Sequence, residues 1–170
     1  MNIQATQITN ENKIIKNIIA QFIDIQEGEN WLDESFQKKI SNLSDDQVFI
    51  RPHPELHSIG ELISHLLVWR KASIDRLNGK ETTLSIDSSE NWRTNEELEI
   101  LGWAKLEKEF YQSTEQLLAI LADKDDSFLK NTYRDKYTFH YLVEGLIHHD
   151  LYHLGQIGLT IKFLNTKQAG

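Results

Sequence analysis

His148-His149-Asp150-Leu151-Tyr152-His153-Leu154-Gly155-Gln156 lies within an apolar-periodic run from Thr138 to Leu164 that contains no proline. A run of that length and period predicts a long helix. On a helix, His149 and His153 are four residues apart, so their rings leave one face, one turn above the other. Two imidazoles placed this way can hold one divalent metal ion, as paired histidines do in helical zinc sites. Gln156 falls on the same stripe, whereas His148 is rotated about 100° away and is excluded from it. The chain has seven histidines among 170 residues. One such pair therefore arises by chance in roughly a third of comparable chains. Two histidines packed or solvated on an amphipathic helix remain the competing reading, and the rest of the chain has to decide.

A chain of this length can bury a core without covalent staples and is expected to form one domain over residues 1–170, with loose ends at 1–9 and 166–170. The net charge of −8, with no cluster of Lys and Arg, argues against nucleic acid and against anionic membranes. No cysteine is present, which excludes disulfides, cysteine nucleophiles and thiolate ligands. Any metal is then held by histidine and carboxylate. The stretch Met1 to Lys13 has no apolar signal core, and no apolar run approaches the length needed to span a bilayer, so a cytoplasmic protein is expected.

Upstream, Ile14, Ile15, Ile18, Ile19, Phe22 and Ile23 recur at helical spacing, with Gly28 as a break. Leu32, Phe36, Ile40 and Leu43 continue the stripe, and Trp31 is a candidate for core or pocket lining. Ser44-Asp45-Asp46-Gln47 has the form of a capping box for a short turn. Ser58-Ile59-Gly60-Glu61 is a second box, opening a helix that runs to about Asn78 with Gly79 as its stop. Residues 80–95 are polar apart from Trp92 and form the longest loop, a candidate lid. A third long helix is expected from about Asn95 to Asp123, then a polar connection from Lys124 to Lys136. Thr138 is placed to cap the last helix. No segment alternates as a strand. These elements predict an all-α four-helix bundle with long inter-helix connections.

A bundle builds its sites from inward-facing side chains of neighbouring helices. His65 shares a stripe with Ser58, Leu62, Trp69 and Ala72, the side that should face the core. It could be a third metal ligand beside His149 and His153, or a core histidine bonded to a carbonyl or carboxylate. Three protein ligands with an open position are the pattern of a catalytic metal site. Asp150 could act on a bound water, orient a ligand, or form a surface ion pair. Gln156 could bond a substrate or fill a polar gap. Gly145 and Gly155 in mid-helix suggest close helix approach or room for a ligand.

Ser58-Ile59-Gly60-Glu61-Leu62-Ile63-Ser64-His65 followed by Trp69-Arg70, with His149-Asp150-Leu151-Tyr152-His153-Leu154-Gly155-Gln156-Ile157 later, resembles the DinB-like (DinB/YfiT) superfamily over nearly the whole chain. The resemblance implies a four-helix bundle whose three-histidine metal site is His65, His149 and His153. It also implies a homodimer. Its implied functions are a metal-dependent transferase using a low-molecular-weight thiol such as bacillithiol or mycothiol, or a metal-dependent hydrolase; a non-catalytic small-molecule or partner-binding protein is the third reading. Three histidine ligands suit one divalent transition metal per chain, Zn or Ni ahead of Fe or Cu. The thiol reading expects a small-molecule substrate and cationic or polar groups near the mouth of the site, for which Arg51, Arg70 and Arg93 are candidates. The hydrolase reading needs a general base, for which Asp150 is the one carboxylate suggested by spacing.

Overall fold

The computed structural model describes residues 12–168, so the expected loose lead-in at 1–9 lies outside it. Helix α1, Lys13–Gln26, buries Ile15, Ile18, Phe22 and Ile25, which recur at the period that keeps one face toward a core. Two short helices follow, α2 at Phe36–Ile40 and α3 at Asp45–Val48. Phe36 and Ile40 join the core as the stripe predicts. Trp31 does not: at 96% exposure it stands in solvent.

Helix α4, Ile59–Leu77, opens with the expected capping box, Ser58 accepting from the Glu61 N–H and Glu61 accepting from the Ser58 N–H. It ends before Gly79, whose φ of 73° suits glycine. From Ile59 to Leu67 every residue is buried, the mark of a helix covered on all sides. Gly60 is part of the reason. A Cβ there would sit 2.7 Å from the Phe49 ring, so only glycine lets α4 approach so closely.

The single helix expected over Asn95 to Asp123 is two helices, α5 at Asn95–Leu101 and α6 at Trp103–Ala122. Gly102 between them has φ 84°, a left-handed value that stops a helix. Periodicity did not reveal the break because Leu98, Trp103 and Leu106 on either side of it are all buried. The polar connection after α6 contains a ribbon of two-residue strands, β1 at Thr132–Tyr133 and β2 at Tyr137–Thr138, paired antiparallel. Strands that short carry no alternation to read. Helix α7, Phe139–Gln168, starts where the Thr138 hydroxyl accepts the Tyr141 N–H at 3.1 Å, and stays helical past the expected end of order at Asn165.

The fold is all-α apart from the ribbon. Helix α4 packs on α6 and α7, and α1 packs on the same two, so α1 and α4 stand diagonally opposite in a four-helix bundle. Helices α4 and α7 run antiparallel. His65 meets His149 at one level, and eleven residues on, Arg76 lies against Tyr133 just before α7 begins. Among the described residues no helix is long and apolar enough to cross a membrane.

The α4 N-terminus also carries a buried charge. Glu61 binds Arg51, whose Nε donates to its carboxylate at 2.9 Å, and His57 Nδ1 lies 3.6 Å away. Burial alone would raise the Glu61 carboxyl, but His57, Arg51 and the Ser58 N–H more than reverse this and lower it to about 2. A carboxyl lowered on folding stabilises the fold above its unfolded value of about 4.5, and that contribution fades as pH falls toward 2. Glu61→Gln is therefore expected to destabilise the protein at pH 7 by at most about 3 kcal/mol. The gap from the parent should narrow between pH 4.5 and 2 in denaturant unfolding curves. A gap independent of pH would mean that the carboxylate charge contributes nothing.

Candidate metal centre

Three imidazole nitrogens converge between α4 and α7. His65 Nε2 lies 2.9 Å from His149 Nε2, and His153 Nε2 lies 3.1 Å from the same atom. The potential ligand atoms of the three rings all fall within 4.8 Å of one another. The helical period accounts for this, since His149 and His153 share one face of α7 and His65 faces them from the buried side of α4.

The outer nitrogens fix the orientation of two of the rings. His65 Nδ1 is 2.9 Å from the Asn91 carbonyl, an oxygen that can only accept, so the proton sits on Nδ1 and the Nε2 lone pair faces the cluster. His153 Nδ1 is 2.7 Å from Gln156 Oε1, which sets the same tautomer. Histidines that ligate metals are held in this way, with the far N–H donated to a carbonyl or carboxylate. Burial first, then proximity to His153, His65 and Arg70, lowers His149 to about 3; burial also lowers His153 to about 4, and it lowers His65. All three are neutral at physiological pH, the form that binds a cation. The donor set thus fits one divalent transition metal.

The long loop covers the cluster from one side. Residues Ser89–Asn91 form one 3-10 turn seated on the cluster. Trp92 stacks flat on His65, with centroids 4.0 Å apart, and on His57 at 3.7 Å. The Asn91 side chain accepts the Trp69 indole N–H at 2.7 Å and donates to the Ile86 carbonyl at 2.8 Å. Residues 80–95, expected as a lid, hold the cluster through a backbone carbonyl and an aromatic face. Sequence spacing gave no sign of Asn91, because the group that matters is its main-chain oxygen. Beside the cluster is a cavity of about 700 Å³, with His65 and His149 in its wall along with Trp69, Trp92, Tyr141 and Leu142. Gly145 lines it and has nothing within 4 Å of an added Cβ, as has Gly155. Of the two expectations for these glycines, close helix approach fails at both. At Gly145 the open space belongs to the cavity.

Asp150 sits elsewhere than on the protein surface. It is 2% exposed and pairs with Arg70, itself 1% exposed, at 2.8 Å. Burial pushes its carboxyl up, and the Arg70 guanidinium opposes that. It does not line the cavity. Of the arginines expected at the mouth, Arg70 is buried in this pair, Arg51 is bound to Glu61, and Arg93 lies outside the cavity wall. The cation that does line it is Arg76. Tyr152 is largely exposed, with its ring edge against His153.

A family model described as the DinB superfamily matches residues 31–157, about three quarters of the chain, a span that includes all three histidines, Gln156 and the Arg70–Asp150 pair. No curated protein matches the chain.

The buried pair next to the ligands offers a direct test of how the cluster is held. Asp150→Ala leaves an uncompensated guanidinium in the core and is expected to cost about 3–5 kcal/mol in chemical unfolding. A cost below about 1 kcal/mol, the range of an exposed pair, would contradict the buried geometry.

Proposed function

We propose a function for a chain that belongs to the DinB superfamily: a metal-dependent transferase that activates a low-molecular-weight thiol for attack on a small electrophile. The observation that carries this is the cluster itself. Three neutral imidazoles converge on one point, two of them oriented by the Asn91 carbonyl and Gln156, with a mostly apolar, aromatic-walled cavity opening beside them. His65, His149 and His153 would hold a divalent metal, whose charge would favour the thiolate form of a small thiol. Zn or Ni suits this ligand set, with Fe or Cu as alternatives.

The chain's own residues fit thiol chemistry better than hydrolysis. Hydrolysis at such a site gains from a base that takes a proton from water, although a metal held by three histidines would by itself bring water's pKa to about 7. Asp150 is engaged with Arg70 away from the cavity, and among the described residues the one carboxylate in the cavity wall is Glu144, about half exposed and 3.1 Å from His140. A thiol ionises more readily than water and needs no such base. Gln156, bonded to His153 Nδ1, acts as a positioning residue for that ring. Trp69 and Trp92 exclude water from one side of the cluster and give a small organic substrate an apolar bed. We propose a single domain, a homodimer and a cytoplasmic location as the setting.

Elemental analysis of untagged protein purified without chelators is expected to find about one equivalent of a transition metal per chain. His65→Ala and the His149→Ala/His153→Ala double variant should each lose it. With the metal identified, the loaded protein is expected to accelerate conjugation of a low-molecular-weight thiol to a model electrophile and to leave ester and amide panels untouched. His149→Ala, still folded by circular dichroism, should lose conjugation at least a hundredfold. Unchanged activity in that variant would refute the three-histidine mechanism; ester or amide cleavage would move the reading to a hydrolase.

A further inference from the structure

The cavity beside the histidines has a second end. Along α4, His65 and Arg76 are eleven residues apart, about 20° around the axis and about 16 Å along it. Trp69 and Ser73 lie between them on the same face, and all four line the cavity. Helix α7 supplies the opposite wall, with His149 at one end, Gly145 and Leu142 in the middle, and Tyr141 beyond. The space is a trough with the histidine cluster at one end and a guanidinium at the other.

Arg76 is 8% exposed, and its Nε is buried with no hydrogen-bond partner. Its one aromatic contact is the Tyr133 ring, 5.5 Å from the guanidinium carbon. The buried arginine one turn and a half earlier, Arg70, is met by a carboxylate at 2.8 Å; Arg76 has no such partner among the described residues. Glu144 lines the same cavity but is directed to His140. A smaller cavity of about 420 Å³ shares Arg76 and Tyr133, and Lys80, Arg134 and Glu81 also line it. Burial first, then the neighbouring Arg134, pushes the Arg76 guanidinium below its ordinary range. It remains protonated at neutral pH all the same. In a chain of net charge −8, a buried, unneutralised cation at a cavity wall is costly unless an anion comes to meet it.

We infer that Arg76 is the anion-recognition residue of this cavity, and that the substrate acted on at the histidine cluster carries a carboxylate about three helical turns from its reacting end. With Nε buried, the two Nη groups are left to present the parallel fork of donors that a planar carboxylate fills. Between the two ends, Trp69, Leu142 and the empty space over Gly145 accept an apolar stem. The assignment of the reacting end rests on the proposed function; the carboxylate site stands on Arg76 alone.

Octanoate and its neutral isostere octanamide separate the two. Titrated into protein of known metal content and followed by calorimetry or by Trp69 and Trp92 fluorescence, octanoate is expected to bind at least tenfold tighter than the amide. In Arg76→Gln the ratio should fall to about one with metal content unchanged. Arg76→Lys, which keeps a charge without the fork, should retain a reduced preference, and it covers the case in which the glutamine variant does not fold. The preference should persist in the His149→Ala/His153→Ala variant, so a failure of the metal reading leaves this readout intact. A ratio near one in the parent protein, or a ratio that Arg76→Gln leaves unchanged, overturns the assignment. Tighter binding of octyl phosphate than of octanoate overturns the choice of a carboxylate.

Discussion

A guanidinium buried among four helices has to be met on several sides at once, and the packing around Arg70 follows from that demand. One Nη donates to Thr114 Oγ1 at 2.7 Å, to Ser113 Oγ at 3.2 Å and to the Phe110 carbonyl at 3.3 Å, all on α6. The other donates to Asp150 on α7. Thr114 passes the chain of bonds on to Gln26 of α1 at 2.9 Å, and the guanidinium lies over the Phe110 ring at 4.5 Å. One residue of α4 thus ties it to each of the other three long helices. Desolvating both charges is offset only while these partners are in register. A slip of one turn, about 5.4 Å, would strand both.

That requirement bears on the histidines. Asp150 is the residue after His149, and Arg70 lies five residues beyond His65 on α4. The pair therefore fixes the rotation and height of α7 against α4 at the level where the three Nε2 atoms meet. The long loop completes the arrangement from outside the bundle, with the Asn91 carbonyl setting the His65 tautomer and Trp92 covering its ring. The cluster and the Arg70 network are rotated from one another by about 140° on α4 and about 100° on α7, the first beside a cavity and the second closed into the core.

Several features were legible in the residues because they depend on local rules. The capping boxes at Ser44 and Ser58, the Gly79 stop, the Thr138 cap and the four long helices all follow from periods and dihedral preferences that neighbouring residues set. Two local rules misled. The span from Asn95 to Asp123 read as one helix because both helices flanking Gly102 bury their apolar face, and Trp31 read as core or pocket lining because large aromatics usually are buried, whereas it stands almost wholly in solvent.

By itself the sequence determined which side chains could share a helix face: His149 with His153, and His65 with Trp69. It could not determine what lies across from a face. That Asp150 meets Arg70 in the core rather than water, that a main-chain oxygen of Asn91 rather than any side chain orients His65, and that Arg76 rather than Arg51, Arg70 or Arg93 reaches the cavity were decided by tertiary structure. The physical reason is common to all three. Spacing along a helix fixes direction about one axis, while partnership depends on the relative rotation and height of two helices, set by packing and buried charge over the whole bundle.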